Sequence, residues 1–154
     1  MTILLNQPFR AIFYYRLRNV NLFFRFICVI MKLILPVKVK MEISGDIGGG
    51  FVVWHGHSCV IHPKAAGNNL TVWQNVTVGS NKSCVSSEGN RFPIWGNNVK
   101  LYTGCVVAGG IKIGDNVEIA ANSVVLKDVP SNSLVIGNPA ILYKRNGVIV
   151  NKPL

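Results

Sequence analysis

The stretch Trp95–Leu126, WGNNVKLYTGCVVAGGIKIGDNVEIAANSVVL, decides how this chain folds. Large apolar residues stand at every sixth position along it: Trp95, Leu101, Val107, Ile113, Ile119 and Val125. The residue after each is mostly small (Gly96, Ala108, Gly114, Ala120), with Tyr102 and Leu126 as exceptions. Four positions after the first five come Val99, Cys105, Ile111, Val117 and Ser123, all small or β-branched. A six-residue repeat with an inward aliphatic residue describes a short flat strand followed by a tight turn. Three such units close a triangular coil, and stacked coils bury a column of aliphatic side chains. The interspersed Asn and Gly suit turns where the backbone visits positive φ. Working outward, Ile47, Val53, Ile61, Val72 and Val78 fall in the same register with one or two irregular spacings. Between Gly79 and Pro93 the period is lost, which reads as a loop thrown out of the coil. Ordered loops of that length often carry function.

Composition is consistent with this reading. The 154 residues are 49% hydrophobic and 14% charged, enough for one domain with continuous apolar burial and not for a disordered chain. The net charge of +10 is uneven. Residues 1–41 hold Arg10, Arg16, Arg18, Arg25, Lys32, Lys38 and Lys40 and no acid, whereas the remainder is close to balanced. Apolar residues recur at helical spacing over 8–35, with a break around Asn19-Val20-Asn21 and a stop at Pro36. The segment is a basic amphipathic one, with two readings: a cap on the open end of the β-helix, or a peripheral contact with an anionic membrane leaflet. It is too apolar for a solvated nucleic-acid-binding arm. Its charge-free runs are too short to span a bilayer, and its start does not read as a secretory signal. Cys28, Cys59, Cys84 and Cys105 show no metal spacing and read as reduced thiols, which places the chain in the cytoplasm. The expected organisation is a helical segment over 1–40, the β-helix over 41–143 and a C-terminal tail over 144–154.

The order of motifs from Ile47 to Ala140 resembles the hexapeptide-repeat acyltransferases, in their serine O-acetyltransferase-like branch. It runs from an IGxG start through Val53-Trp54-His55-Gly56 and Gln74-Asn75-Val76-Thr77-Val78-Gly79 to the loop closing at Arg91-Phe92-Pro93. Ala121-Asn122-Ser123-Val124-Val125 and Val135-Ile136-Gly137-Asn138-Pro139-Ala140 follow. The fold implied is a left-handed parallel β-helix, assembled as a homotrimer, with acetyl-CoA as co-substrate and no metal. Two departures stand out. Where serine acetyltransferases have Asp before the catalytic His and Arg-His-Pro at the loop end, this chain has Trp54 and Phe92. An aromatic pair suits a sugar ring better than a zwitterion, and the chain looks more like the compact acetyltransferases found with capsule, O-antigen and exopolysaccharide assembly. That resemblance implies as acceptor a saccharide hydroxyl of a cell-surface polysaccharide or its lipid-linked or nucleotide-linked precursor. Serine or another small metabolite is the alternative, and a non-catalytic scaffold the second.

The resemblance implies His55 as general base, its tautomer held by Glu42, with Asp46 as the competing acid. Trp54, Arg91 and Phe92 are the expected acceptor contacts, Arg91 being equally readable as a CoA-phosphate contact or a solvated residue. Gly79, Thr103, Gly104, Ala121 and Gly137 would line the CoA groove between subunits. Small residues there admit the ligand, although every coil needs small turn residues. Lys127 and Lys144 are read either as phosphate contacts or as ordinary surface lysines. His57 and His62 read as turn or rim residues, since a metal would need a third His and the sequence has none outside residues 55–62.

Overall fold

The computed structural model describes residues 6–19 and 21–154. The helical segment forms α1 (Gln7–Arg16), a 3-10 turn (Leu17–Asn19) and α2 (Leu22–Ile34). Asn6 and Asn21 cap the two helices, their side chains accepting from Phe9 and Phe24 N–H. The break expected around Val20 lies partly outside the described residues.

From Met41 the chain is a parallel β-solenoid of about five coils, with strands numbered along the chain. Its first face stacks β1 (Met41–Ile43), β4 (Cys59–Ile61), β7 (Thr77–Gly79), β10 (Val106–Ala108) and β13 (Val124–Val125). The second stacks β2 (Asp46–Ile47), β5 (Ala65–Ala66), β8 (Ile94–Trp95) and β11 (Lys112–Ile113), continued by a bridge from Ile113 to Val129. The third stacks β3 (Val52–Val53), β6 (Thr71–Val72), β9 (Lys100–Leu101), β12 (Glu118–Ile119) and β14 (Ser133–Ile136).

The six-residue apolar positions point inward as three columns: Val53–Val72–Leu101–Ile119–Val135, Ile61–Val78–Val107–Val125 and Ile47–Ala66–Trp95–Ile113. All are buried, Leu101, Val107 and Ile119 completely. Each fully buried aliphatic side chain contributes about 1.5–3 kcal/mol. Val99, Cys105, Ile111, Val117 and Ser123 are buried as well, so every repeat sends two residues inward. Ala66 is an inward residue that the apolar count passes over, because Ala is small and the spacing from Ile61 is irregular.

One corner of each coil is tied by an asparagine ladder. Asn69 donates through Nδ2 to Asn98 Oδ1, Asn98 to Asn116 and Asn116 to Asn132, at 3.0, 2.9 and 2.9 Å. All four sit at positive φ, which Asn tolerates because its amide bonds locally. Gly50 heads the column, and a Cβ there would lie 2.2 Å from Asn69 Oδ1.

The two ends close differently. At the first coil α1 packs on the solenoid. Tyr15 OH donates to Gly45 O at 2.8 Å, and the Arg16 guanidinium donates to the carbonyls of Ile47 and Gly48. These contacts satisfy carbonyls at an otherwise open sheet edge, the arrangement that the first of the two readings of this segment describes. At the far end β15 (Ile141–Arg145) and β16 (Val148–Pro153) form an antiparallel hairpin on β14. The plain tail expected from residue 144 is thus replaced by a hairpin that starts at Ile141 and shields the last coil. Among the described residues no helix is long and apolar enough to cross a membrane.

Candidate active site

The corners joining the third face to the first form a second column. Trp54 N–H donates to Val72 O at 2.8 Å, Trp73 to Leu101 O at 3.0 Å and Tyr102 to Ile119 O at 3.0 Å, so Trp54, Trp73 and Tyr102 are equivalent positions. The next residue in the regular coils is Gln74, Thr103 or Ala121, followed by Asn75, Gly104 or Asn122 at positive φ. In the first coil Ser58 holds the positive-φ place, and Asn75 N–H donates to His57 O at 2.8 Å, which aligns His57 with Gln74. His55 and Gly56 are therefore extra residues in this corner. They explain why Val53 and Ile61 are farther apart than one repeat.

His55 occupies the centre of a three-residue turn closed by Gly56 N–H donating to Trp54 O at 2.8 Å, with φ +67. Turns of this kind at positive φ are rare and strained for a residue with a Cβ, and such strain gathers at functional sites. The turn pushes the imidazole outward, and the residue is exposed. Gly56 is needed for close approach, because a Cβ there would meet Pro8 Cγ of α1 at 2.9 Å.

The expected acids do not bond His55 within the chain. Glu42, on β1, is largely exposed and its Oε2 lies 3.8 Å from His62 Nε2. Asp46 opens β2, also exposed, and forms no ion pair among the described residues. The expected groove residues fall on two edges of the triangle. Thr103, Gly104, Ala121 and Gly137 share the corner column with His55; Gly137 N–H donates to Ser123 Oγ at 2.9 Å. Gly79 and Lys127 lie on the edge where the first face meets the second. There Lys127 Nζ donates to Leu154 O at 2.6 Å and Gly79 has open space on its side-chain side. Lys144 is on β15, exposed.

The extruded loop runs from residue 80 to 93 on that second edge and is internally braced. Asn81 N–H donates to Arg91 O, Ser86 N–H to Asn90 O and Gly110 N–H to Cys84 O. Gly109 and Gly110 let it lie against the next coil: a Cβ on Gly110 would come within 2.0 Å of Asn90 O. Arg91 and Phe92 end the loop, both exposed. The structure thus groups His55 with the small corner residues and sets Arg91 and Phe92 across a sheet from them. Among the described residues no cluster of three His, Cys, Asp or Glu could hold a metal.

Sequence reasoning passed over Gln74, next to the His55 corner in the following coil. Among the described residues its Oε1 is buried without a partner, a state uncommon for a buried amide. Its place beside Trp73, aligned with His57 and Thr103, emerges only from the coil register.

Known proteins place this geometry. Residues 96–127 match the family model of the bacterial transferase hexapeptide (six repeats). A serine acetyltransferase of Staphylococcus aureus (strain Mu50) is 42% identical over 115 residues, covering 75% of this chain and 49% of that protein. One from Synechococcus elongatus is 39% identical over 114 residues, covering 73% and 46%. The chain thus spans about half the length of these relatives. Among solved structures, a Neisseria gonorrhoeae serine acetyltransferase superposes with TM-score 0.66 at 27% identity, over 94% of this chain and 57% of that one. The same enzyme in complex with serine gives TM-score 0.65 at 28% identity, over 90% and 57%.

These findings overturn the saccharide acceptor and the polysaccharide role expected from Trp54 and Phe92: the relatives are named for serine. The physical reason is visible in the column. Trp54 repeats the outward aromatic position of Trp73 and Tyr102, which stack at 4.5 Å, so its character follows from its place in the coil and carries no information about a sugar. Residues 96–127 carry the bacterial transferase hexapeptide repeat, and serine acetyltransferases are among the relatives of the chain.

Proposed function

We propose that this chain is an acetyl-CoA-dependent O-acetyltransferase whose acceptor is the hydroxyl of L-serine, with His55 as general base. The observation that carries the reading is the two-residue insertion that lifts His55 out of an otherwise regular corner at φ +67. It coincides with 42% identity to a serine acetyltransferase.

In this scheme neutral His55 takes the serine hydroxyl proton as the oxygen attacks the thioester carbonyl. Donors near the corner stabilise the tetrahedral oxyanion, which collapses to break the C–S bond. His55 returns its proton to the departing thiolate, giving O-acetylserine and CoA. Glu42 is the proposed orienting acid. Its exposed carboxylate lies 3.8 Å from His62, on a strand paired with β4, which follows the His55 corner. Asp46 is its competitor.

The donor would lie along Thr103, Gly104, Ala121 and Gly137, where small corner residues admit a pantetheine arm. Gly79 and Lys127, with the loop end at Arg91 and Phe92, lie on the other edge and would serve the same reaction from a neighbouring chain. That division supports a homotrimer with sites between subunits, because a single chain leaves its base and its loop on different edges.

The test is thiol release from acetyl-CoA by purified protein with L-serine, beside His55→Ala. Release that needs both serine and His55 supports the reading. No release with serine at saturating acetyl-CoA overturns the acceptor, and release undiminished in His55→Ala overturns the base. Glu42→Gln and Asp46→Asn then separate the two acids, since the true partner's loss lowers kcat and shifts its pH profile.

A further inference from the structure

A cleft of about 490 Å³ opens between the two helices and the first coil. That size is within the range of small-ligand pockets. Its walls are mostly apolar, with Val29 of α2, Val37, Val39, and Met41 and Ile43 of β1. Arg18, Arg25 and Lys32 also line it, and no acid does. On α2, Arg25, Val29 and Lys32 fall on one helical face, so the apolar wall and two of the cations come from the same stripe.

These cations lack counter-charges. Among the described residues the ion pairs are His62–Glu42 and Lys100–Glu118. Residues 1–41 contain no acid to supply another. Two are instead held by aromatic faces: Lys32 Nζ lies 5.5 Å from the Tyr14 ring and Arg18 5.9 Å from the Tyr15 ring. Tyr14 is itself fixed, its hydroxyl donating to Met31 O and Leu35 O, both at 3.0 Å. Three like charges held around one concavity repel one another, and an anion placed between them relieves that repulsion. A cap needs Tyr15, Arg16 and Pro8 against the coil; it has no use for Arg18, Arg25 and Lys32.

We infer that this cleft binds an anionic amphiphile, with a phosphate or carboxylate head held by Arg18, Arg25 and Lys32 and an apolar chain against Val29, Val37, Val39 and Met41. Arginine suits such a head because its guanidinium forks onto two oxygens. The site is separate from the His55 corner and does not depend on the acceptor proposed above. The amphiphile is a free molecule seated in the cleft, and attachment to a bilayer surface alone is the outcome that the vesicle arm detects.

The experiment is calorimetric titration of the full chain with dodecyl phosphate kept below its micelle concentration. Dodecyl maltoside monomer, inorganic phosphate and phosphatidylglycerol vesicles are the other arms. Expected is saturable binding of one dodecyl phosphate per chain, at least tenfold tighter than dodecyl maltoside and inorganic phosphate. R25Q/K32Q should weaken it at least tenfold, and K38Q/K40Q, outside the cleft, should leave it within twofold. The substituted side chains are exposed, and unchanged unfolding midpoints without ligand will show that both variants fold. Binding to vesicles but not to the monomer overturns the inference in favour of surface adsorption. Equal binding of the neutral amphiphile overturns it too, as does equal loss in the two double variants.

Discussion

At Asn75, Gly104 and Asn122 the chain turns from the third face to the first with a single residue at positive φ. The turn at 54–58 takes two residues more and sends His55, Gly56 and Ser58 to positive φ at +67, +64 and +54. Regular corners use Asn or Gly, the residues that adopt that backbone at least cost. His55 has a ring to carry there, and a non-glycine residue held so costs about 1–3 kcal/mol. Repetition supplies the scaffold and its interruption supplies a chemically useful group on a rigid support.

The comparison breaks most sharply at His55 itself. His55→Ala should lower kcat with L-serine by about 10²–10⁴-fold, the range of a lost general base, while leaving the unfolding midpoint within a few degrees. His55→Gly should be equally inactive yet more stable than the parent by about 1–2 kcal/mol, since glycine removes the positive-φ penalty. A His55→Gly protein that is no more stable would mean that the corner holds no strain. Stopped thiol assays and thermal melts on the same preparations read both.

The scaffold half of the comparison predicts a different split. Leu101 lies at the centre of an inward column with no exposed surface. Leu101→Ala should cost about 2–5 kcal/mol by denaturant unfolding, with kcat of the surviving folded protein little changed. A fall in kcat without loss of stability would show that scaffold and site are not separable.

Asn116 tests the ladder more gently. It sits at φ +55 and bonds both Asn98 and Asn132. Asn116→Ala should cost about 2 kcal/mol, combining the positive-φ penalty with lost amide bonds. Asn116→Gly keeps the backbone free and should cost about half as much. Equal losses would assign the whole effect to the bonds.

Legibility in the sequence followed the same division. Trp95 to Val125 announced the coils because inward residues of one size recur at one spacing, and burial leaves them little choice. The position of the loop at 80–93 was readable from the loss of that spacing. The site was readable only as far as repetition goes. Trp54 looked like a substrate contact because its coil-to-coil equivalents, Trp73 and Tyr102, cannot be aligned across an irregular spacing without the strand register. Glu42 was assigned to His55 from motif order, whereas its distance to His62 depends on β1 lying beside β4. Ala66 carried too small a side chain to stand out. The capping bonds of Arg16 come from where α1 docks, which no local pattern in residues 1–40 specifies.

The smallest expected effect lies on the third face, where the aromatic column meets a charge cluster. Glu118 accepts from Lys100 Nζ at 2.9 Å and from Tyr102 OH at 3.0 Å, and Tyr102 stacks on Trp73. The hydrogen bond from Lys100 is the main reason that the Glu118 carboxyl is held below its usual 4.5. Because the folded value is depressed, the contribution is complete above 4.5 and disappears as pH falls through the folded value. Lys100 is shifted up from 10.5, first by the same bond, so its share is complete below 10.5 and is lost as pH rises through the folded value. Both side chains are more than a third exposed, so solvent screening keeps the pair below about 1 kcal/mol. Melts of the parent and Glu118→Gln should therefore differ by a small constant amount between these limits and converge below pH 4.5. High salt should shrink the gap. A gap that persists undiminished in acid would mean that Glu118 acts through the Tyr102–Trp73 stack and not through its charge, and the column would then count as scaffold from Trp73 upward.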